Sequence, residues 1–97
     1  MLTIEALSKT TVALSGRFDA SQVQRAEMVL DQIAENCILD CTGLEYISSA
    51  GIGVVLALYK RLDERGGTVK MINVSALIRQ VFHYAGLDKV FSIEGSS

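Results

Sequence analysis

Six consecutive residues near the middle of the chain, Ser48-Ser49-Ala50-Gly51-Ile52-Gly53, put two hydroxyls and two glycines where an apolar strand gives way to an apolar helix. In open α/β sheets, ligands and partners gather at the carboxyl ends of the strands. A serine at such a junction lies near the unpaired N–H groups of the first helical turn. Ser49 is read as the residue at that junction. Its hydroxyl can cap the helix, worth about 1 kcal/mol, and it can also accept a group from outside. Gly51 and Gly53 are each poorer helix formers than alanine by about 1 kcal/mol. Their missing side chains leave the helix start open to close approach by another backbone or a bulky group.

Other chemistries fit these residues less well. A phosphate-cradling loop of the Walker type needs a lysine directly after its last glycine, and no lysine follows Gly51 or Gly53. A nucleophile elbow needs a glycine two positions to either side of its serine, which the order here does not supply. Serine catalysis also needs a base. The single histidine, His83, stands between Phe82 and Tyr84 and reads as a surface residue. Asp40 and Glu45 have no evident partner for paired-carboxylate hydrolysis and read as solvated or capping groups. Cys37 and Cys41 would share one strand face about 13 Å apart at roughly 3.3 Å per residue, beyond the ~7 Å that a disulfide allows. Zinc would need further ligands, and His83 is far along the chain. The thiols read as buried apolar groups. No reaction, metal or cofactor is expected of this chain.

The elements that must hold the segment follow from its hydropathy pattern. Leu2, Ile4 and Ala6 alternate with Thr3 and Glu5 as a short strand. Thr11 to Gly16 is a second strand, close enough for a hairpin across Ser8-Lys9-Thr10. Gly16 to Asp19 turns, and Ser21 is placed as the cap of a helix running to about Asn36, with Val23, Ala26, Leu30, Ile33 and Ala34 on one stripe. Cys37 to Asp40 reads as a short buried strand and Thr42 to Ser48 as a loop. Ser49 to about Arg65 is the second helix, ended by Gly66-Gly67. Thr68 to Val74 alternates as a strand, and Ser75 caps a third helix whose Leu77, Ile78, Val81, Phe82 and Ala85 form a stripe closed by Gly86. Val90 to Ile93 is a last edge strand. This order implies parallel pairing through right-handed crossovers after an antiparallel opening hairpin. The expectation is an α/β single domain over residues 1–97, a mixed sheet layered with helices, with Cys37–Cys41 at its centre.

Composition bounds the partners. Nine basic against eleven acidic residues give a net charge of −2, whereas nucleic-acid binding needs a concentrated cationic surface. The densest basic group is only Lys60, Arg61 and Arg65, so nucleic acid is excluded. An apolar content of 49% with 21% charged residues is that of a soluble globular chain. The longest apolar run, Ala50 to Tyr59, has ten residues, about half of a membrane span. Glu5 interrupts what a signal peptide would keep apolar. The expectation is a cytoplasmic protein with no insertion into the membrane.

The run from Ile38 to Leu62, ILDCTGLEYISSAGIGVVLALYKRL, resembles the central signature of the STAS domain family, typified by the bacterial anti-sigma factor antagonists. That signature is a strand ending in Asp, a polar turn, and then Asp-Ser-Ser/Thr-Gly-Leu/Ile-Gly opening an apolar helix. Leu14-Ser15-Gly16-Arg17-Phe18-Asp19 resembles the family's turn, and Leu77 to Phe91 resembles its closing helix. The resemblance implies a STAS-like fold and a binding module rather than an enzyme. It implies that Ser49 is phosphorylated by a partner, an anti-sigma factor that is itself a serine kinase, which binds the unmodified form. ATP and magnesium would then belong to that kinase, and a PP2C-type phosphatase would be the second partner. Ser48 stands where the family has aspartate, which removes a charge and makes Ser48 a second candidate acceptor. Asp19 matches the family's turn aspartate near the acceptor, and equally reads as a turn or capping carboxylate. Together with Ala50, Gly51 and Gly53 these residues form the expected partner-binding surface. A second STAS role remains open, that of a subunit in a membrane lipid-transport ABC complex docking on its ATPase.

Overall fold

Backbone hydrogen bonds build one five-stranded sheet in the order β1-β2-β3-β4-β5. The computed structural model describes residues 1–95. Its strands are β1 (Leu2–Ala6), β2 (Thr11–Phe18), β3 (Cys37–Ile47), β4 (Val69–Val74) and β5 (Ser92–Gly95). The helices are α1 (Val23–Leu30), α2 (Ser49–Asp63) and α3 (Ala76–Tyr84), with a single 3-10 turn at Ala20–Gln22 before α1. β1 pairs antiparallel with β2, and β2 to β5 are all parallel. The mixed sheet, its opening hairpin and its central third strand match the pattern read from the sequence.

Each parallel strand lies beside the next one in sequence, so every right-handed crossover moves the same way and deposits its helix on the same face. That face is the core. Val12, Leu39 and Met71 align across three strands and are fully buried. Ala26 and Leu30 of α1, Val55, Leu58 and Leu62 of α2, and Ile78 and Phe82 of α3 close over them. The opposite pleat presents Thr11, Ala13, Asp40 and Lys70, none of them buried.

β3 is longer than expected. The segment read as a loop from Thr42 onward stays in the sheet as far as Ile47. Two one-residue bulges account for the difference: β2 steps from Ala13 to Ser15 while β3 steps from Asp40 to Gly43, and from Gly16 to Arg17 while β3 steps from Leu44 to Tyr46. After Cys37, Leu39 and Cys41 the buried positions become Leu44 and Ile47, so the period of two that marks a strand disappears.

α1 is shorter than expected, ending at Leu30 rather than near Asn36. Ser21 does not cap α1, whose cap position is Gln22 with no side-chain cap bond; Asp19 caps the 3-10 turn before it, its Oδ1 accepting from both the N–H and the hydroxyl of Ser21. Beyond Leu30 the chain is held from outside. Arg61 Nη2 donates to the Leu30 carbonyl (2.9 Å), and Asn36 Oδ1 accepts from the Thr68 N–H (3.0 Å), which ties the start of β3 to the start of β4. Gly67 is required beside this tie, because a Cβ there would collide with the Glu35 carbonyl oxygen. The last strand starts at Ser92, later than expected, because the Val90 and Phe91 N–H groups turn back onto the Leu87 carbonyl.

Cys37 and Cys41 are free and buried on the core face of β3. Loss of solvation pushes their thiols up to about 11 and about 12, helped at Cys41 by the neighbouring Asp40 charge. A pKa raised by folding leaves stability intact below the unfolded thiol's ~8.5 and removes it as pH climbs toward the folded values. The melting midpoint, followed by circular dichroism, is therefore expected to fall more steeply above about pH 9 in the wild type than in a Cys37→Ala/Cys41→Ala variant. Equal slopes would mean that the thiols are solvated. Reductant should leave the midpoint unchanged.

Candidate functional site

The carboxyl ends of β2 and β3 are tied by the Ser48 N–H, which donates to the Phe18 carbonyl (2.9 Å). That bond brings the turn at Asp19 and the Ser48–Ser49 pair to one rim, and the 3-10 turn packs against α2. Ser48 is extended, with φ −85° and ψ 170°, and its Oγ accepts from the Gly51 N–H (3.1 Å). Ser48 is thus the helix cap, which corrects the expectation that Ser49 fills that role. A capping oxygen has to come from the residue just before the first helical one. Of two adjacent serines, only one can supply it. Ser49 is the first residue of α2, exposed, and joined by no side-chain hydrogen bond among the described residues.

The two glycines differ in purpose. Gly51 is buried, and a Cβ on it would stand 2.9 Å from both Ile47 Cγ1 and the Phe18 carbonyl oxygen. Its absent side chain lets the first turn of α2 press onto the ends of β2 and β3, so it serves internal packing and presents no surface to a partner. Gly53 is exposed, with nothing within 4 Å of where its Cβ would be. It keeps the ground beside Ser49 open. Ala50, between Ser49 and Gly51, is half-buried.

Charge around the rim is sparse. No acidic residue occupies the first turn of α2, so the positive end of the helix dipole is uncompensated there. The Ser21 hydroxyl and N–H hold Asp19 below the usual carboxylate range. Its carboxylate closes its own turn, while its position shares the rim with Ser49. Two flanking residues were not singled out from the sequence. Arg17 and Tyr46 are register partners past the second bulge, and the Arg17 guanidinium lies 4.4 Å from the centre of the Tyr46 ring. Only with Glu45 counted as an extra residue do they fall opposite each other.

The remaining chemical groups lie elsewhere. Asp40 accepts from the Thr42 hydroxyl (2.6 Å) and from Asn73 Nδ2 (3.2 Å), and these bonds hold its carboxyl low. His83 is about 10 Å along the helix axis from the start of α3 at Ala76, at ~1.5 Å per residue. It donates from Nδ1 to Asp88 (2.7 Å). Among the described residues no hydrogen bond joins His83 to Ser49, so the arrangement needed for nucleophilic catalysis is not assembled. No group of three His, Cys, Asp or Glu side chains there converges as metal ligands. No described helix is long and apolar enough to cross a membrane.

A mixed five-stranded sheet with its helices on one face, and an exposed serine at the first turn of the helix after the central strand, have the layout of a STAS-type module. The family model described as Mlab, STAS domain matches residues 2–94. The chain belongs to the STAS domain family. It is similar to the anti-sigma F factor antagonist of Paenibacillus polymyxa, 28% identical over 87 residues that span 84% of this chain and 74% of the relative. Its fold is similar to that of the anti-sigma factor antagonist SpoIIAA in its unphosphorylated form, with a TM-score of 0.76 and 22% identity over 96% of this chain and 87% of the other. SpoIIAA in its phosphorylated form gives a TM-score of 0.70 and 22% identity, over 96% of this chain and 90% of the other. A sulfate transporter family protein from Wolinella succinogenes shares the fold as well, with a TM-score of 0.75 and 19% identity over 88% and 75% of the two chains.

The division between the serines has a measurable outcome. Ser48→Ala is expected to lose about 1 kcal/mol of stability with the cap, and Ser49→Ala no more than about 0.5 kcal/mol, as for an exposed position. Gly51→Ala should lose about 1–3 kcal/mol through overpacking. Urea unfolding of the three variants measures all of these. An equal loss at both serines would contradict the assignment of the cap to Ser48.

Proposed function

We propose that this chain is a phosphorylation-switched binding module, an anti-sigma factor antagonist that holds its anti-sigma serine kinase while Ser49 is unmodified and releases it once Ser49 carries phosphate. The observation that carries the reading is the separation of duties between two adjacent hydroxyls: Ser48 is committed to the cap, and Ser49 is free on an exposed rim. The names of the curated relatives supply the class of partner. The kinase brings ATP and magnesium. Ser49 Oγ attacks the γ-phosphorus, its proton passes to a base of the kinase, and ADP leaves. A PP2C-type phosphatase returns the hydroxyl by hydrolysis. This chain contributes the acceptor oxygen and the docking surface, and performs no reaction of its own.

Physical chemistry makes such a switch workable. Phosphate adds about −1.5 to −2 charges. At a helix start with no acid of its own, the positive dipole end and free N–H groups favour that charge, so the fold tolerates it. A partner seated over the same rim has to bury the dianion, at several kcal/mol unless it is paired. A loss of ~4 kcal/mol weakens binding about a thousandfold.

Support for the reading comes from an experiment with the purified anti-sigma kinase. Incubation with ATP should add one phosphate, located on Ser49 by peptide mass spectrometry, and a phosphate on Ser48 would overturn the assignment. Ser49→Asp should keep its melting midpoint yet bind the kinase more than about tenfold more weakly, while Ser49→Ala binds at least as well as the wild type in titration calorimetry. Equal binding by the two variants would move the chain to the second STAS role. It would then be a docking subunit of a membrane lipid-transport ABC complex, held on its ATPase without any phosphate.

A further inference from the structure

We infer that the free edge of β1 is a self-association surface, and that its occupant is a second copy of this chain whose β1 lies antiparallel along the first. β1 stands at one margin of the sheet, so one side of its backbone has no strand beside it. Its register with β2 shows which groups face that side. The Leu7 N–H donates to the Thr11 carbonyl (2.8 Å), and the Arg17 N–H donates to the Met1 carbonyl (3.2 Å). Residues along an antiparallel strand alternate between bonding to that neighbour and turning away from it. The backbone groups of Met1, Thr3, Glu5 and Leu7 therefore face β2. Those of Leu2, Ile4 and Ala6 point to the open edge.

Native proteins blunt such edges with lysine, proline or a bulge. Leu2–Ala6 has none of these, and it pairs with β2 without a register shift. The opposite margin is a poorer template, because β5 has four residues and its register with β4 breaks between Met71 and Val74.

The pattern of β1 selects the occupant. It is apolar at Leu2, Ile4 and Ala6 and polar at Thr3 and Glu5, the same read in either direction from Ile4. A two-fold interface has to be self-complementary in this way. An axis through Ile4 pairs Ile4 with Ile4, Leu2 with Ala6 and Thr3 with Glu5, and it joins core face to core face. Each Glu5 carboxylate then meets a Thr3 hydroxyl. A register centred on Glu5 would instead oppose the two carboxylates, which is unfavourable. The axis through Ile4 also sets Met1, 86% exposed, opposite Leu7, 54% exposed.

The helix above the edge agrees. α1 packs against β1. Glu27 and Asp31 turn toward α2, and the other flank leaves Met28 71% exposed. Between that flank, Ala6 and the hairpin lies a cavity of about 860 Å³ whose apolar lining includes Val29, Ile33 and Ala34. The same axis sets the two α1 helices side by side on one sheet face, where the Met28 flank of each covers the cavity of the other. Met1, Leu7 and Met28 are half of the large apolar side chains left exposed among the described residues, and all three border this edge. Exposed apolar groups gathered at one place mark an interface. Antiparallel pairing also reverses the second sheet, so the two Ser49 rims stand at opposite ends of the dimer.

The test uses the full chain. Sedimentation equilibrium at concentrations up to about 1 mM should show a dimer. Thr3 and Glu5 are exposed, so substitutions there should leave the melting midpoint unchanged. Thr3→Glu opposes like charges twice in each dimer and should weaken association about tenfold, whereas Thr3→Lys should tighten it. Thr3→Cys mixed with Glu5→Cys should cross-link under mild oxidation, because the paired Cα atoms would stand about 4.5 Å apart. Either variant alone should not, since its two copies are offset by two residues along the strands. The inference is overturned if the chain stays monomeric throughout, if Thr3→Glu associates like the wild type, or if either cysteine variant cross-links as readily alone. None of these measurements involves Ser49 or the kinase, so this inference and the switch stand or fall separately.

Discussion

Chirality decides the layout of this molecule. The strand order follows the sequence order with no reversal, and parallel crossovers are right-handed almost without exception. All three helices are therefore driven to one side of the sheet, and all three begin at the same rim. A fold that reverses direction in mid-sheet puts its binding crevice at the reversal point. This fold has no such point and no such crevice. What it offers is a row of helix starts.

Within that row the end of β2 and the end of β3 are locked together by one backbone hydrogen bond, Ser48 N–H to Phe18 carbonyl, and by the contact that Gly51 permits. The two bulges in β3 add length on one side of this pair of strands, and added length in one strand bends it and increases its twist. The groups of the rim are satisfied: Asp19 within its own turn, Ser48 on Gly51, and Arg17 over Tyr46. Against that background Ser49 stands out as the hydroxyl without an assignment.

Most of the layout was legible in the sequence because burial on one face leaves a strong mark. The strands at Leu2–Ala6 and Val69–Val74 and the buried stripe positions Ala26, Leu30, Ile78 and Phe82 survive into the structure, whereas Ala6, Ala34, Leu77 and Ala85, placed on the same faces, are exposed. The features that were not legible depend on two segments at once. A bulge is a relation between β2 and β3, and neither strand records it alone, so Thr42 to Ile47 looked like a loop. Beyond Leu30 the chain is held by Arg61 on the Leu30 carbonyl and by Thr68 on Asn36, each from thirty or so positions away. The choice between Ser48 and Ser49 as cap hinges on one ψ angle, which two identical side chains cannot disclose. Arg17 and Tyr46 were hidden by the same bulge that brings them together.

That last ambiguity, once resolved, bears on how such a protein evolves. With the cap supplied by Ser48 and the packing by Gly51, position 49 carries almost none of the fold's stability. Serine, threonine, alanine or a carboxylate can follow one another there by drift, each giving a folded chain. The neighbouring positions have no such latitude. Descendants of one ancestor can thus diverge in whether the rim is modified at all, through a single codon and without passing through an unstable intermediate.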